Sequence, residues 1–279
     1  MAVNAAPRVK RAAVINDVSG VGRCSLTVML PVMSALGVQA CPAVTGLLSA
    51  HTMFDNVAVL DTTDFLGEVF ASWNGMGLTF DAVICGYLAS ARQGGLVRSF
   101  FEAHKEALRF VDPAMADHGR LYCGLGEAHV EMMRELCALS DVVTPNLSEY
   151  ALITGKEYSD APRTDEQIER MLLGFPGRAV VIKGVPVKGG YVNACRDFSG
   201  EISVHPIRML DCAYPGTGDI FAAVLFSKIL GGETMGAGVE AAAEFVRSAI
   251  EISMKTDGDV KHGVLIEAAL PLLTDRGRK

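Results

Sequence analysis

Short apolar runs alternate with stretches of helical apolar spacing along this chain, and that rhythm restricts its fold more than any other feature. Ala12-Ala13-Val14-Ile15 reads as a short buried strand, residues 16–22 as a polar glycine turn, and 25–36 as a helix ended by Gly37. The unit recurs, with strands expected at 38–44, 81–85, 109–111, 141–143 and 179–182, and helices at 64–73, 94–107, 127–139, 147–154 and 165–173. Such alternation implies a mainly parallel sheet covered by helices on both faces. Between 189 and 207 the rhythm changes to β-rich runs at 191–195 and 202–205, joined by Asp197-Phe198-Ser199-Gly200, which predicts an antiparallel hairpin. Helices at 220–230 and 238–256 follow. No linker-like stretch interrupts the order, so residues 1–279 are expected to form one α/β domain.

Composition narrows the function classes. With 50% hydrophobic and 20% charged residues the chain is expected to be globular throughout. A net charge of −7 without a Lys/Arg cluster argues against nucleic-acid and membrane-surface partners, which need a basic face. An anionic ligand would have to be held by helix N-termini and a few placed cations. The seven cysteines are scattered, with no C-x-x-C pair, which predicts reduced thiols of a cytoplasmic protein and no zinc site. After Arg8, Lys10 and Arg11 the apolar run is too short for a signal-peptide core, and no stretch is expected to span a bilayer.

Gly20-Val21-Gly22-Arg23-Cys24-Ser25 follows a strand and opens a helix, as a dinucleotide fingerprint would, but the third glycine is missing. The second strand also ends Ala43-Val44-Thr45, with no acid for a ribose. The segment is left as a tight turn or a contact to some other small ligand. No Walker A pattern occurs. Pro145-Asn146-Leu147-Ser148-Glu149 is a capping box in form, which needs no function to explain it. Asp112-Pro113 reads either as a strand-ending turn or as an acid at the carboxyl end of a parallel strand, where α/β sheets place ligands.

The most informative stretch is Tyr214-Pro215-Gly216-Thr217-Gly218-Asp219-Ile220. Two glycines bracket a threonine just before an apolar helix, so several N–H groups can converge on one point with the helix dipole behind them. That predicts a phosphate cradle; the competing reading makes Thr217 or Asp219 a plain helix cap. An aspartate at a helix N-terminus is expected to stay ionised and to be a weak base. Weakness is compatible with phosphoryl transfer, in which orienting the hydroxyl matters more than basicity.

Six motifs, Asn16-Asp17-Val18-Ser19-Gly20, Ser49-Ala50-His51-Thr52, Gly86-Tyr87-Leu88, Asp112-Pro113-Ala114-Met115, Pro145 to Glu149, and Gly216 to Asp219, occur in an order that resembles the ribokinase-like superfamily and, within it, the vitamin B6 kinases. The resemblance runs over nearly the whole chain and implies a three-layer αβα fold and ATP-dependent phosphorylation of a B6 vitamer's 5′-hydroxymethyl group. Asp219 would be the base, with the amides of Gly216, Thr217 and Gly218 holding charge on the transferred phosphate. Asn146 and Glu149 would organise Mg²⁺ and phosphate, beside Asp112 and Asp117, with Asp112 and Glu149 nearest the metal. Lys183 would lean towards the ATP phosphates or be a solvated strand-end lysine.

On the substrate side the resemblance implies Asn16, Ser19 and Thr45 as polar contacts, with Tyr87 stacking on the ring and His51 close by. Core packing for Tyr87 and a turn role for His51 are the competing readings. Residues 116–126 would form a lid with Tyr122 facing the substrate. The family also implies a homodimer and leaves a monovalent cation open. Many pyridoxal kinases carry serine near Asn16, which leaves the vitamer open. The related hydroxymethylpyrimidine kinases of thiamine biosynthesis often have cysteine where this chain has Asp219, and a non-catalytic B6-binding protein is a third reading.

Overall fold

A computed structural model describes residues 8–210, 212–256 and 258–274; the amino-terminal residues 1–7, which open the segment read for a signal peptide, lie outside them. The strands are β1 (Lys10–Ser19), β2 (Val38–Leu48), β3 (Val59–Asp61), β4 (Ala82–Cys85), β5 (Leu108–Val111), β6 (Ala116–Asp117), β7 (Arg120–Leu121), β8 (Val142–Val143), β9 (Ala179–Val187), β10 (Gly190–Arg196) and β11 (Ile202–Ile207). The main helices are α1 (Leu26–Ala35), α2 (Thr63–Gly75), α3 (Ala91–Ala103), α4 (Glu127–Leu139), α5 (Leu147–Thr154), α6 (Asp165–Leu173), α7 (Thr217–Leu230) and α8 (Met235–Ser253).

One nine-stranded sheet has the order β11-β10-β9-β8-β5-β4-β1-β2-β3, and β6 pairs only with β7. The six strands from β9 to β2 are parallel, β3 closes one edge antiparallel, and β10 and β11 close the other. Alternation along the central strands builds two cores. In β1, Ala13 and Ile15 enter the cluster beneath α2 to α6, whereas Ala12 and Val14 enter the one beneath α1, α7 and α8. The same division recurs in β4, with Val83 and Cys85 on the first face and Ala82 and Ile84 on the second. The expected three-layer αβα architecture is therefore present.

Several boundaries differ from expectation. β1 does not stop at Ile15 but continues to Ser19, because its pairing with β2 resumes beyond a register shift between Asn16 and Val18. Its polar end, expected as turn, thereby becomes a buried part of the sheet. β2 likewise reaches Leu48, and its extension supports β3, which no sequence signal marked. The third helix starts at Ala91 rather than 94, where the Gln93 side chain accepts from the Ala89 amide at 2.8 Å. The hairpin at 191–205 is found and is enlarged, since β9 runs on to Val187 and pairs antiparallel with β10. Among the described residues no helix is long and apolar enough to cross a membrane.

Candidate active site

β2 lies on one side of β1 and β4 on the other, so the direction of winding reverses beside β1. Open α/β sheets bind ligands at the carboxyl ends of the strands where that reversal occurs. The N-terminus of α7 arrives at the same place. Gly216 stands at φ +78°, and a Cβ there would lie 2.1 Å from the Arg23 carbonyl oxygen and 2.8 Å from Cys24 Cα. Glycine is thus required twice, for the backbone conformation and for the close approach of the loop after β1. The amides of Thr217, Gly218 and Asp219 have no acceptor among the described residues, as expected of a first helical turn. A Cβ on Gly218 would stand 3.7 Å from Lys183 Nζ, which puts the ammonium close to those amides.

Asp219 sits on that first turn. Its Oδ2 accepts the Ser25 amide at 2.8 Å and its Oδ1 accepts Asn16 Nδ2 at 3.2 Å. The expectation that it would be held ionised as a weak base is corrected by its surroundings. Burial, reinforced by the charges of Asp112 and Asp17, lifts its pKa to about 7 against these hydrogen bonds. Desolvation and two neighbouring carboxylates thus act against the helix terminus, which by itself favours the anion. The group is therefore poised near neutrality, where a general base is most effective.

Opposite lies a charged set. Lys183, in the middle of β9, reaches Asp112 Oδ1 at 2.7 Å, and the Thr144 hydroxyl donates to the same oxygen at 2.7 Å. Burial disfavours the Lys183 cation, but Asp112 and Glu149, with Asp219 adding to them, hold its pKa above the usual lysine value. It is not a solvated strand-end lysine. Asn146 and Glu149 form a complete capping box on α5: the Asn146 side chain accepts from the Glu149 amide at 2.9 Å, and Glu149 Oε2 accepts from the Asn146 amide at 2.8 Å. Asn146 Nδ2 also reaches the Ala116 carbonyl at 2.8 Å. Glu149 is buried at the centre of this set, and burial raises its pKa against the pull of Lys183.

No group of three or more His, Cys, Asp and Glu side chains that could hold a metal occurs among the described residues. Among the described residues no Mg²⁺ site built of three such side chains is present. Asp112 and Glu149 do fit the other usual arrangement, in which one or two carboxylates assist a magnesium held mainly by phosphate oxygens and water.

The residues expected on the substrate side bond mainly to backbone groups and to neighbouring carboxyls. Asn16 Oδ1 accepts the amides of Asp17 and Tyr87 at 3.0 and 2.9 Å, while its Nδ2 serves Asp219 and Met29 Sδ. Both ends of that amide are thus engaged with protein, and it orients Asp219. The Thr45 hydroxyl donates to the Tyr87 carbonyl at 2.9 Å, and Ser19 donates to Asp17 Oδ2 at 3.1 Å. Asn16 and Thr45 fix the peptides before and after Tyr87, respectively, and the Tyr87 residue is half-buried. His51 Nε2 contacts the Lys261 carbonyl and its Nδ1 accepts from the Met53 amide, so the ring is the neutral Nε2–H form tying two loops together. Residues 116–126 include the β6–β7 ribbon, anchored by Gly119 N donating to Ser148 Oγ at 2.8 Å. Tyr122 is 38% exposed, and its hydroxyl is pushed to a higher pKa by desolvation and by the Glu149, Asp117, Asp219 and Asp112 charges. Asp117 stands apart on the ribbon, 60% exposed, and accepts from the His118 amide.

Three contributors escaped the sequence reading as site residues: Asp17, Ser25 and Thr144. Asp17 is buried inside a quoted motif, and its proximity to Asp219 follows only from β1 extending past Ile15.

Residues 30–264 match the family model described as phosphomethylpyrimidine kinase. The chain belongs to this family. A pyridoxine/pyridoxal/pyridoxamine kinase of Bordetella avium is 32% identical over 189 residues, spanning 63% of this chain and 62% of that protein, so this match leaves more than a third of the relative's length uncovered. Among solved structures, a Bacteroides thetaiotaomicron phosphomethylpyrimidine kinase-type protein crystallised with pyridoxal superposes with a TM-score of 0.92 at 32% identity, covering 98% of each chain. Pyridoxal kinase from Lactobacillus plantarum gives 0.87 at 30% identity, over 95% of this chain and 97% of that one. The fold is accordingly the ribokinase-like one of the pyridoxal kinases.

Proposed function

We propose that this protein is a pyridoxal kinase: as a single catalytic domain it transfers the γ-phosphate of ATP to the 5′-hydroxymethyl oxygen of a vitamin B6 vitamer. The observation that carries the reading is the convergence of helix N-terminal amides that have no acceptor among the described residues, the Lys183 side chain and the Asp219 carboxyl, whose pKa burial lifts to about 7. The pyridoxal kinases among its relatives and the pyridoxal-bound Bacteroides structure support the substrate class.

Asp219, ionised, accepts the hydroxymethyl proton while a bond forms from that oxygen to the γ-phosphorus and the bond to the ADP oxygen breaks. The amides of Gly216, Thr217 and Gly218, together with Lys183, hold the charge on the phosphoryl oxygens. Magnesium bound with ATP would supply further charge neutralisation, assisted by Asp112 and Glu149. Tyr87 and the lid residue Tyr122 would bracket the ring, with Asn16, Ser19, Thr45 and His51 fixing the pocket behind it. The same chemistry on hydroxymethylpyrimidine is the second reading, favoured by the family's description.

A coupled ADP-release assay with pyridoxal, pyridoxamine, pyridoxine and hydroxymethylpyrimidine separates the readings. Turnover of B6 vitamers is expected, and it should cease with EDTA. Turnover of the pyrimidine alone would replace the first reading with the second, and binding without turnover would leave a vitamer-storage protein. We further propose a cytoplasmic homodimer. Leu47, Val59, Leu60 and Phe65 form an exposed apolar surface at the β3 edge, which a second copy would cover.

A further inference from the structure

Ser25, at φ 50° and ψ −135°, occupies a backbone region that residues with a side chain rarely adopt. It is also the residue whose amide donates to Asp219 Oδ2 at 2.8 Å. Strained conformations persist only where their surroundings over-determine them. Those surroundings are a segment distant in sequence. The Arg23 amide and its Nη1 donate to the His262 carbonyl at 3.2 and 3.1 Å, and its Nε donates to both Glu267 oxygens at 3.0 and 2.9 Å. Gly263, at φ +74°, lies so close that a Cβ would stand 2.9 Å from Arg23 Cβ. On the other side, Gly216 packs on the Arg23 carbonyl. The loop 23–25 is therefore gripped between the α7 turn and residues 262–267.

We infer that residues 262–267 act through Arg23 as a clasp that holds the strained Ser25 amide on Asp219, making Arg23 a positioning residue for the base. The inference rests on the kinase reading only for its activity readouts. Without the clasp the strain relaxes, the amide leaves the carboxylate, and Asp219 loses both its orientation and a donor to its ionised form. The other groups facing Asp219 are Asp17 on β1, Cys24 in the loop, Asp112 after β5, Lys183 on β9 and Tyr122 in the lid. Of these, Asp17, Asp112, Lys183 and Tyr122 lie outside the loop 23–25, and Cys24 lies within it.

The test compares Arg23→Ala, Glu267→Gln and Arg23→Ala/Ser25→Gly with the wild type. Arg23→Ala is expected to lower kcat about tenfold with little change in either KM, since the lost interaction matters in the transition state. Glu267→Gln, which keeps the His262 bonds, should fall between it and the wild type. The pH midpoint of kcat should move upward in Arg23→Ala. Glycine adopts the Ser25 conformation without strain, so Ser25→Gly should raise kcat severalfold in the Arg23→Ala background. A loss carried by KM, an unmoved midpoint, or a glycine change that adds to the damage would overturn the clasp. ¹³C NMR titration of the Asp219 carboxyl in the unliganded protein should show the same upward shift. That readout does not depend on turnover, so a failure of the clasp is distinguishable from a failure of the kinase reading.

Discussion

The two halves of the candidate site are built on different principles. In one half Lys183 is ion-paired with Asp112, and Glu149 lies beside them with its pKa raised by burial. The other half is a set of single hydrogen bonds made by polar side chains, in which Asn16, Thr45 and His51 mostly hold backbone groups and Ser19 holds the Asp17 carboxyl. A buried ion pair loses much when one member is removed, because the partner is left uncompensated. A set of single hydrogen bonds loses about 1 kcal/mol per bond. Asp219 stands at the seam, oriented by the hydrogen-bonded side and raised in pKa by burial and by the acids around it.

That contrast can be broken most directly at the seam. Asp219→Asn is expected to lower kcat by about 10²-fold or more while leaving ATP affinity, read by calorimetry, nearly unchanged. Equal turnover would remove Asp219 as the base. Next in size, Lys183→Met should destabilise the fold by about 3–5 kcal/mol in urea titrations, because Asp112 is left buried without its cation. Adding Asp112→Asn should recover stability but not turnover; if stability does not return, the ion-pair description fails.

The pH dependence sharpens the same point. An acid whose folded pKa is raised binds its proton more tightly in the native state, so its contribution to stability is present below the unfolded value and is lost as pH rises through about 7. Asp219→Asn should therefore melt with the wild type only below about pH 4, and progressively above it as the pH rises to about 8. Wild-type kcat/KM should climb over the interval in which that stability declines. Opposite slopes would show that the carboxylate is ionised well below neutrality.

Smaller effects belong to the hydrogen-bonded side. Thr45→Val removes one bond to the Tyr87 carbonyl and should cost about 1 kcal/mol in denaturant titrations, with a modest rise in vitamer KM. A loss as large as that at Lys183 would erase the distinction between the halves. The smallest change in monomer stability, within about 0.5 kcal/mol, is expected for Leu60→Glu at the exposed β3 edge. The same variant should weaken self-association in sedimentation experiments.

The difference between the halves also explains which parts could be read from the sequence. The strand–helix alternation, the capping box at Asn146 and Glu149 and the glycine turn before α7 all rest on residues within a few positions of one another, where backbone geometry decides the outcome. The direction of the Asp219 shift was not legible, because a helix N-terminus is local whereas the neighbouring Asp17 and Asp112 lie on β1 and just after β5. The edge strand β3 gave no signal, since three exposed residues become a strand only beside an extended β2.

Local chemistry in this chain therefore settles the layers, the caps and the glycine turn before α7. Tertiary structure alone decided that Lys183 is paired with Asp112, that Asn16 orients Asp219, and that Ser25 is strained to reach it. Those contacts join residues 71, 203 and 194 positions apart. Their energies depend on burial and on charges from separate strands, and only the completed sheet brings these together.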